Sequence, residues 1–189
     1  MQALESVVLV QIDAEKGEGV DLAKEYFVKG YPTFVLANAE GAVLDTWSGY
    51  DKNGFLGTHA VAVADPTTIE QKRERFEYAP TAKDASALAR FHGTRGEYEK
   101  AVELAQRAAV MEPSAETRYA VFDYMAYGHM KTEAFDLKEV QGAAQQVLTS
   151  EGVEPAKIVV DPAFPNRQGG CDLFTQIGPG SGHVLEGSE

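Results

Sequence analysis

Hydrophobic positions divide the chain into a first stretch with strand spacing and a second with helical spacing. Val7-Val8-Leu9-Val10-Gln11-Ile12 is a nearly unbroken β-branched run. Apolar side chains on successive positions predict an internal strand, buried on both faces, over residues 7–12. Residues 13–19 hold two glycines and three acids and read as a polar loop. Residues 20–28 then place Leu22, Ala23, Tyr26 and Phe27 on one helical face, with Gly30 and Pro32 ending the helix. Residues 33–37 form a second strand, Asn38-Ala39-Glu40-Gly41 a turn, and residues 42–47 the other arm of a hairpin.

Beyond residue 50 the period changes. Residues 55–64 predict a helix weakened by Gly57. Asp65-Pro66 reads as a capping acid followed by proline at the first helical position, opening a charged helix to residue 78. Its inner edge is Ile69, Arg73 and Phe76, and its remaining charges form a solvated face. Thr81 with Asp84 three residues later marks another start. Tyr98, Ala101, Val102, Ala105, Ala108 and Ala109 make one stripe whose small residues permit close helix approach. Gly96 supplies the positive φ of the preceding turn, and Pro113 stops the helix. Residues 116–127 are apolar nearly all round and predict a buried helix ended by Gly128. A last helix spans residues 132–150. Residues 157–160 read as a short strand, and residues 161–189, with three prolines and six glycines, as an irregular tail.

Two resemblances follow from these residues. The order strand, Asp13, loop, helix, Gly30-Tyr31-Pro32-Thr33-Phe34, strand, Gly41, strand, Ser48-Gly49-Tyr50 resembles the second half of a thioredoxin-like domain. The likeness runs from residue 7 to residue 50, or on through the helix expected at 55–64, roughly the first third of the chain. It implies a cis peptide bond at Tyr31–Pro32 and places Tyr31, Pro32 and Thr33 beside a site where backbone is free to pair with an extended peptide. The family's Cys-x-x-Cys and the strand leading into it would lie upstream of residue 7, where this sequence has six residues and no cysteine. The expected outcomes are direct pairing of the flanking strands, completion of the sheet by another copy, or a chain that is part of something longer. Leu88, Ala89, His92, Gly96, Tyr98, Ala101, Ala105, Ala108 and Pro113 in turn resemble one tetratricopeptide repeat, a helix pair over residues 82–115. A single repeat cannot bury its own faces, so the helices must pack on each other or on the first segment.

Composition narrows the chemistry. The chain has 189 residues, 44% of them apolar, with 17 basic against 29 acidic side chains and a formal net charge of -12. That balance argues against nucleic-acid and anionic-membrane partners, both of which are polyanions. The single cysteine, Cys171, allows no internal dithiol pair and stands in a glycine-rich stretch that does little to lower its pKa. His59, His92, His129 and His183 are far apart and none sits at ligand spacing from Cys171, so no metal site is predicted. Asp13, Glu15, Glu18 and Asp21 depart from the calcium-loop pattern at most positions and read as solvated acids. Gly178-Pro179-Gly180-Ser181-Gly182 has no helix behind it to make a phosphate loop. No secretory signal or bilayer-spanning run is read in the sequence. The compartment is left open.

The sequence therefore predicts an α/β segment (1–64) with a partial thioredoxin-like sheet, an all-α tetratricopeptide-like segment (65–152) and an irregular tail (153–189). Its expected function is a truncated or non-catalytic member of the thioredoxin-like thiol–disulfide oxidoreductase family, binding a peptide or protein at Tyr31, Pro32 and Thr33. No catalytic residue, cofactor or metal ligand is assigned. One alternative makes the chain the carboxyl portion of an active thiol–disulfide oxidoreductase whose Cys-x-x-Cys lies upstream of Met1. Another is a helical-repeat scaffold, which predicts neither the cis bond nor the hairpin.

Overall fold

A computed structural model of the chain describes Leu4 and residues 7–150. The expected strand at 157–160, the irregular tail, Cys171 and His183 lie outside the described residues. Among the described residues the chain forms a short helix α1 (Gly19–Glu25), strands β1 (Thr33–Ala37) and β2 (Val43–Ser48), and six further helices. These are α2 (Lys52–Ala64), α3 (Ile69–Tyr78), α4 (Ala82–Thr94), α5 (Tyr98–Met111), α6 (Ala115–Thr132) and α7 (Leu137–Leu148). The molecule is thus a small sheet followed by a mostly helical body.

β1 and β2 pair antiparallel, with Thr33 opposite Ser48 and Leu36 opposite Asp45, and the register shifts after Leu36. The turn closes as its residue types dictate. Asn38 Oδ1 accepts from the backbone N–H of Glu40 and Ala42 at 3.2 and 2.8 Å, and Gly41 takes φ +82°. The Tyr31–Pro32 bond is cis.

The strand expected at residues 7–12 is absent. That segment has no regular structure and pairs with neither β1 nor β2; Val8, Leu9 and Val10 are 91, 69 and 67% exposed. Direct pairing of this segment with β1, one of the three outcomes the sequence left open, therefore does not form. A doubly buried strand needs neighbours on both edges and cover on both faces, and an apolar run alone supplies neither.

The helices begin where their caps place them. α3 starts at Ile69, not at Pro66, because Thr68 and Gln71 form a reciprocal capping box. Asp65 instead accepts from the Thr67 hydroxyl at 2.6 Å. Lys72, expected on a solvated face, is buried and replaces Arg73 on the inner edge with Ile69 and Phe76. Thr81 caps α4 as expected, and Gly96 takes φ +77° between α4 and α5. α6 runs through Gly128 to Thr132, with Glu133 taking the left-handed cap at φ +56°. Gly128 stays helical because it seats the Phe135 ring, which a Cβ would meet at 2.6 Å. α7 consequently starts at Leu137, behind an Asp136–Glu139 capping box, and Phe135 precedes it.

Two apolar clusters hold the body together. Val102, Ala105, Val121, Phe122, Val140 and Val147 unite α5, α6 and α7. Ile69, Phe76, Ala85, Leu88 and Ala108 unite α3, α4 and α5, and Val43 of β2 packs against them. The sheet is therefore anchored through β2, which leaves β1 on the outside.

Candidate functional site

β1 reads Thr-Phe-Val-Leu-Ala, five residues without a charge. Its pairing parity follows from two hydrogen bonds that bracket it. Gly49 N–H donates to the Pro32 carbonyl at 2.9 Å, and Asn38 N–H donates to the Ala42 carbonyl at 3.0 Å. Even-numbered backbone groups in between face β2, so those of Thr33, Val35 and Ala37 face away from it. Among the described residues no strand lies on that side and no backbone bond reaches those three amides.

Sequence alone placed Tyr31, Pro32 and Thr33 together, and the structure puts all three at the start of this open edge. Tyr31 is 64% exposed. Thr33 Oγ1 donates to the Gly30 carbonyl at 2.7 Å and lies 3.2 Å from Ser48 Oγ. The first hydrogen bond ties the entry of β1 to the segment before the proline. Tyr31 and Pro32 are exposed and lead directly into β1, whose five residues are half-buried.

Aromatic packing stiffens the hairpin from one face. Phe34 stacks on Trp47 across the strands, centroids 5.6 Å apart, and Phe55 of α2 meets both rings edge-on. His59 stacks on Phe55 one turn later. Among the described residues Trp47 Nε1 and His59 Nε2 are buried without a hydrogen-bond partner.

Two cationic side chains, Arg90 and Lys72, fix β2 to the helical body, and a third, Arg75, ties the helical segments to each other. Arg90 of α4 donates to Asp45 through Nε and Nη2, at 3.1 and 2.6 Å. Burial works against the Arg90 charge, but the Asp45 carboxylate more than offsets it and raises the guanidinium above its ordinary pKa. Lys72 donates its ammonium to the carbonyls of Leu44, Asp65 and Thr67. Burial outweighs the attraction of Asp65 and Asp45 there and lowers its pKa. Arg75 joins Asp65 and Asp84. Sequence reading missed all of these. The available signal was an aspartate at a strand centre (Asp45) and an arginine at the end of an apolar helical run (Arg90), and neither names its partner.

His92 Nδ1 lies 2.6 Å from Glu97 Oε2, and His129 Nδ1 lies 2.8 Å from the Phe135 carbonyl. Asp13 and Asp21 pair with Lys16 and Lys24 on the surface. Among the described residues no three His, Cys, Asp or Glu side chains gather as a metal site, and no helix is long and apolar enough to cross a membrane. No protein-family model, curated protein or solved structure matches the chain.

Proposed function

We propose that this chain is a peptide-binding relative of the thioredoxin-like proteins with a tetratricopeptide-like helical extension, and that it binds rather than catalyses. An extended segment of a partner protein adds as a strand to the outer edge of β1, and Tyr31 packs on its side chains. The observation that carries this reading is the row of outward backbone groups at Thr33, Val35 and Ala37, which no strand among the described residues covers. Edge strands are ordinarily blunted by charge, proline or cover; β1 contains neither charge nor proline. Main-chain pairing of this kind accepts many sequences, with specificity left to alternate side chains.

The test uses a fluorescein-labelled, reduced and carboxymethylated unfolded polypeptide and reads its anisotropy. Saturable binding is expected. Val35→Pro, which deletes the central outward N–H, weakens it at least tenfold, and Tyr31→Ala weakens it a few-fold. Absence of saturable binding, or unchanged affinity in folded Val35→Pro, overturns the proposal.

A second reading is favoured by the exposed run at Val8, Leu9, Val10 and Ile12. A second copy of the chain would supply this run to the same edge and complete the sheet. Solution mass across a concentration series distinguishes the two: a strict monomer excludes strand donation between copies.

A further inference from the structure

A cleft of about 490 Å³ opens between α3, α4 and the start of α5, lined by Arg73, Phe91, His92, Arg95, Glu97 and Lys100. It lies in the helical body and does not depend on the β1 edge. On a chain of net charge -12 it gathers three permanent cations and a histidine around one carboxylate.

That carboxylate does not use up the cations. Glu97 is held by His92 at 2.6 Å, whereas Arg95 Nε and Lys100 Nζ stand off at 3.5 Å, longer than a well-formed hydrogen bond. Arg73 gives one hydrogen bond to Glu70, at 2.5 Å, and a guanidinium carries five N–H donors. The Arg95 guanidinium carbon lies 3.4 Å from the Phe27 ring centroid and 4.8 Å from that of Phe91. Two rings therefore hold its plane, while among the described residues its donors make no closer polar contact than the 3.5 Å approach of Nε to Glu97. Glu97 is also the N-cap of α5, yet its side chain makes no capping bond, so the positive end of a fourteen-residue helix adjoins the same cleft.

We propose that this cleft binds a phosphoryl group, carried either by a small phosphate ester or by a phosphorylated side chain. A phosphoryl group offers three acceptor oxygens and close to two negative charges. Those acceptors match fork donors on Arg73 and Arg95 with a point charge on Lys100.

The experiment is a titration of the whole chain at fixed ionic strength, followed by amide chemical shifts. Its probes are inorganic pyrophosphate, a phosphoserine peptide and the same peptide with glutamate at that position. Saturable shifts at residues 91–100 are expected with pyrophosphate, with the phosphopeptide, or with both. Preference between those two identifies the source of the phosphoryl group. Lys100→Gln, at a mostly exposed side chain, weakens binding roughly three- to tenfold, and Arg95→Gln weakens it at least tenfold. The proposal is overturned by unsaturable or scattered shifts with both phosphorylated probes. Equal affinity for the glutamate peptide, or undiminished binding by folded Lys100→Gln, also overturns it.

Discussion

Arg90 of α4 and Asp45 of β2 meet in a two-pronged ion pair, with Asp45 only 1% exposed. This is the main electrostatic joint between the hairpin and the helices. Removing one member strands the other in a low-dielectric site. Arg90→Gln is therefore expected to lower the unfolding free energy by about 3–5 kcal/mol in urea titrations. Replacing both together, as Arg90→Met with Asp45→Leu, should cost less than either single change, because no unpaired charge remains. A loss below about 1 kcal/mol for Arg90→Gln would deny the joint its role.

Helix glycines separate into those that seat a neighbour and those that do not. A Cβ on Gly128 would strike the Phe135 ring, while one on Gly142 of α7 meets nothing within 4 Å. Gly128→Ala should destabilise by about 1–3 kcal/mol through overpacking. Gly142→Ala should stabilise by about 0.5–1 kcal/mol through helix propensity. Glu133 holds a left-handed conformation that glycine adopts freely, so Glu133→Gly should add about 1 kcal/mol. Thermal unfolding of the three variants checks all three signs.

Two aspartates give stability opposite slopes with pH. Burial opposes ionisation of Asp65, but hydrogen bonds from Thr67 and Arg75 outweigh it and hold the carboxyl far below its ordinary value. Its contribution is complete above about pH 4 and is lost as the pH falls through the native pKa. Burial pushes Asp123 of α6, set among Tyr98, Tyr119 and Tyr124, up to about 7. The native state then holds a proton that the unfolded chain has released, so stability declines from about pH 4 to pH 7 and levels off above. Asp123→Asn should flatten that decline and stabilise the half-buried site by about 1–3 kcal/mol at pH 8. A mutant whose stability still falls between pH 4 and 7 as the wild type does would assign the slope elsewhere.

What the sequence made legible was local. The Asn38–Gly41 turn, the Thr81 cap, the Gly96 turn and the Ala101, Val102, Ala105 and Ala108 stripe each depend on residues within a few positions of one another. The strand over residues 33–37 was legible for the same reason. Errors arose where a distant partner decides. Residues 7–12 have strand composition but, among the described residues, no neighbour to pair with. Lys72 looks solvent-facing until three carbonyls, one of them 28 residues away, take its ammonium. Gly128 reads as a helix end until Phe135 folds back over it. The cleft around Arg95 draws on α3, α4 and α5 at once, and no spacing along the chain announces it.

The β1 edge is tested most directly by residue-resolved amide exchange with and without the unfolded polypeptide. The outward amides of Thr33, Val35 and Ala37 should slow at least tenfold on binding, while those of Phe34 and Leu36, already paired with β2, change little. Protection that ignores this alternation, or that appears only in the helices, would contradict strand addition at β1.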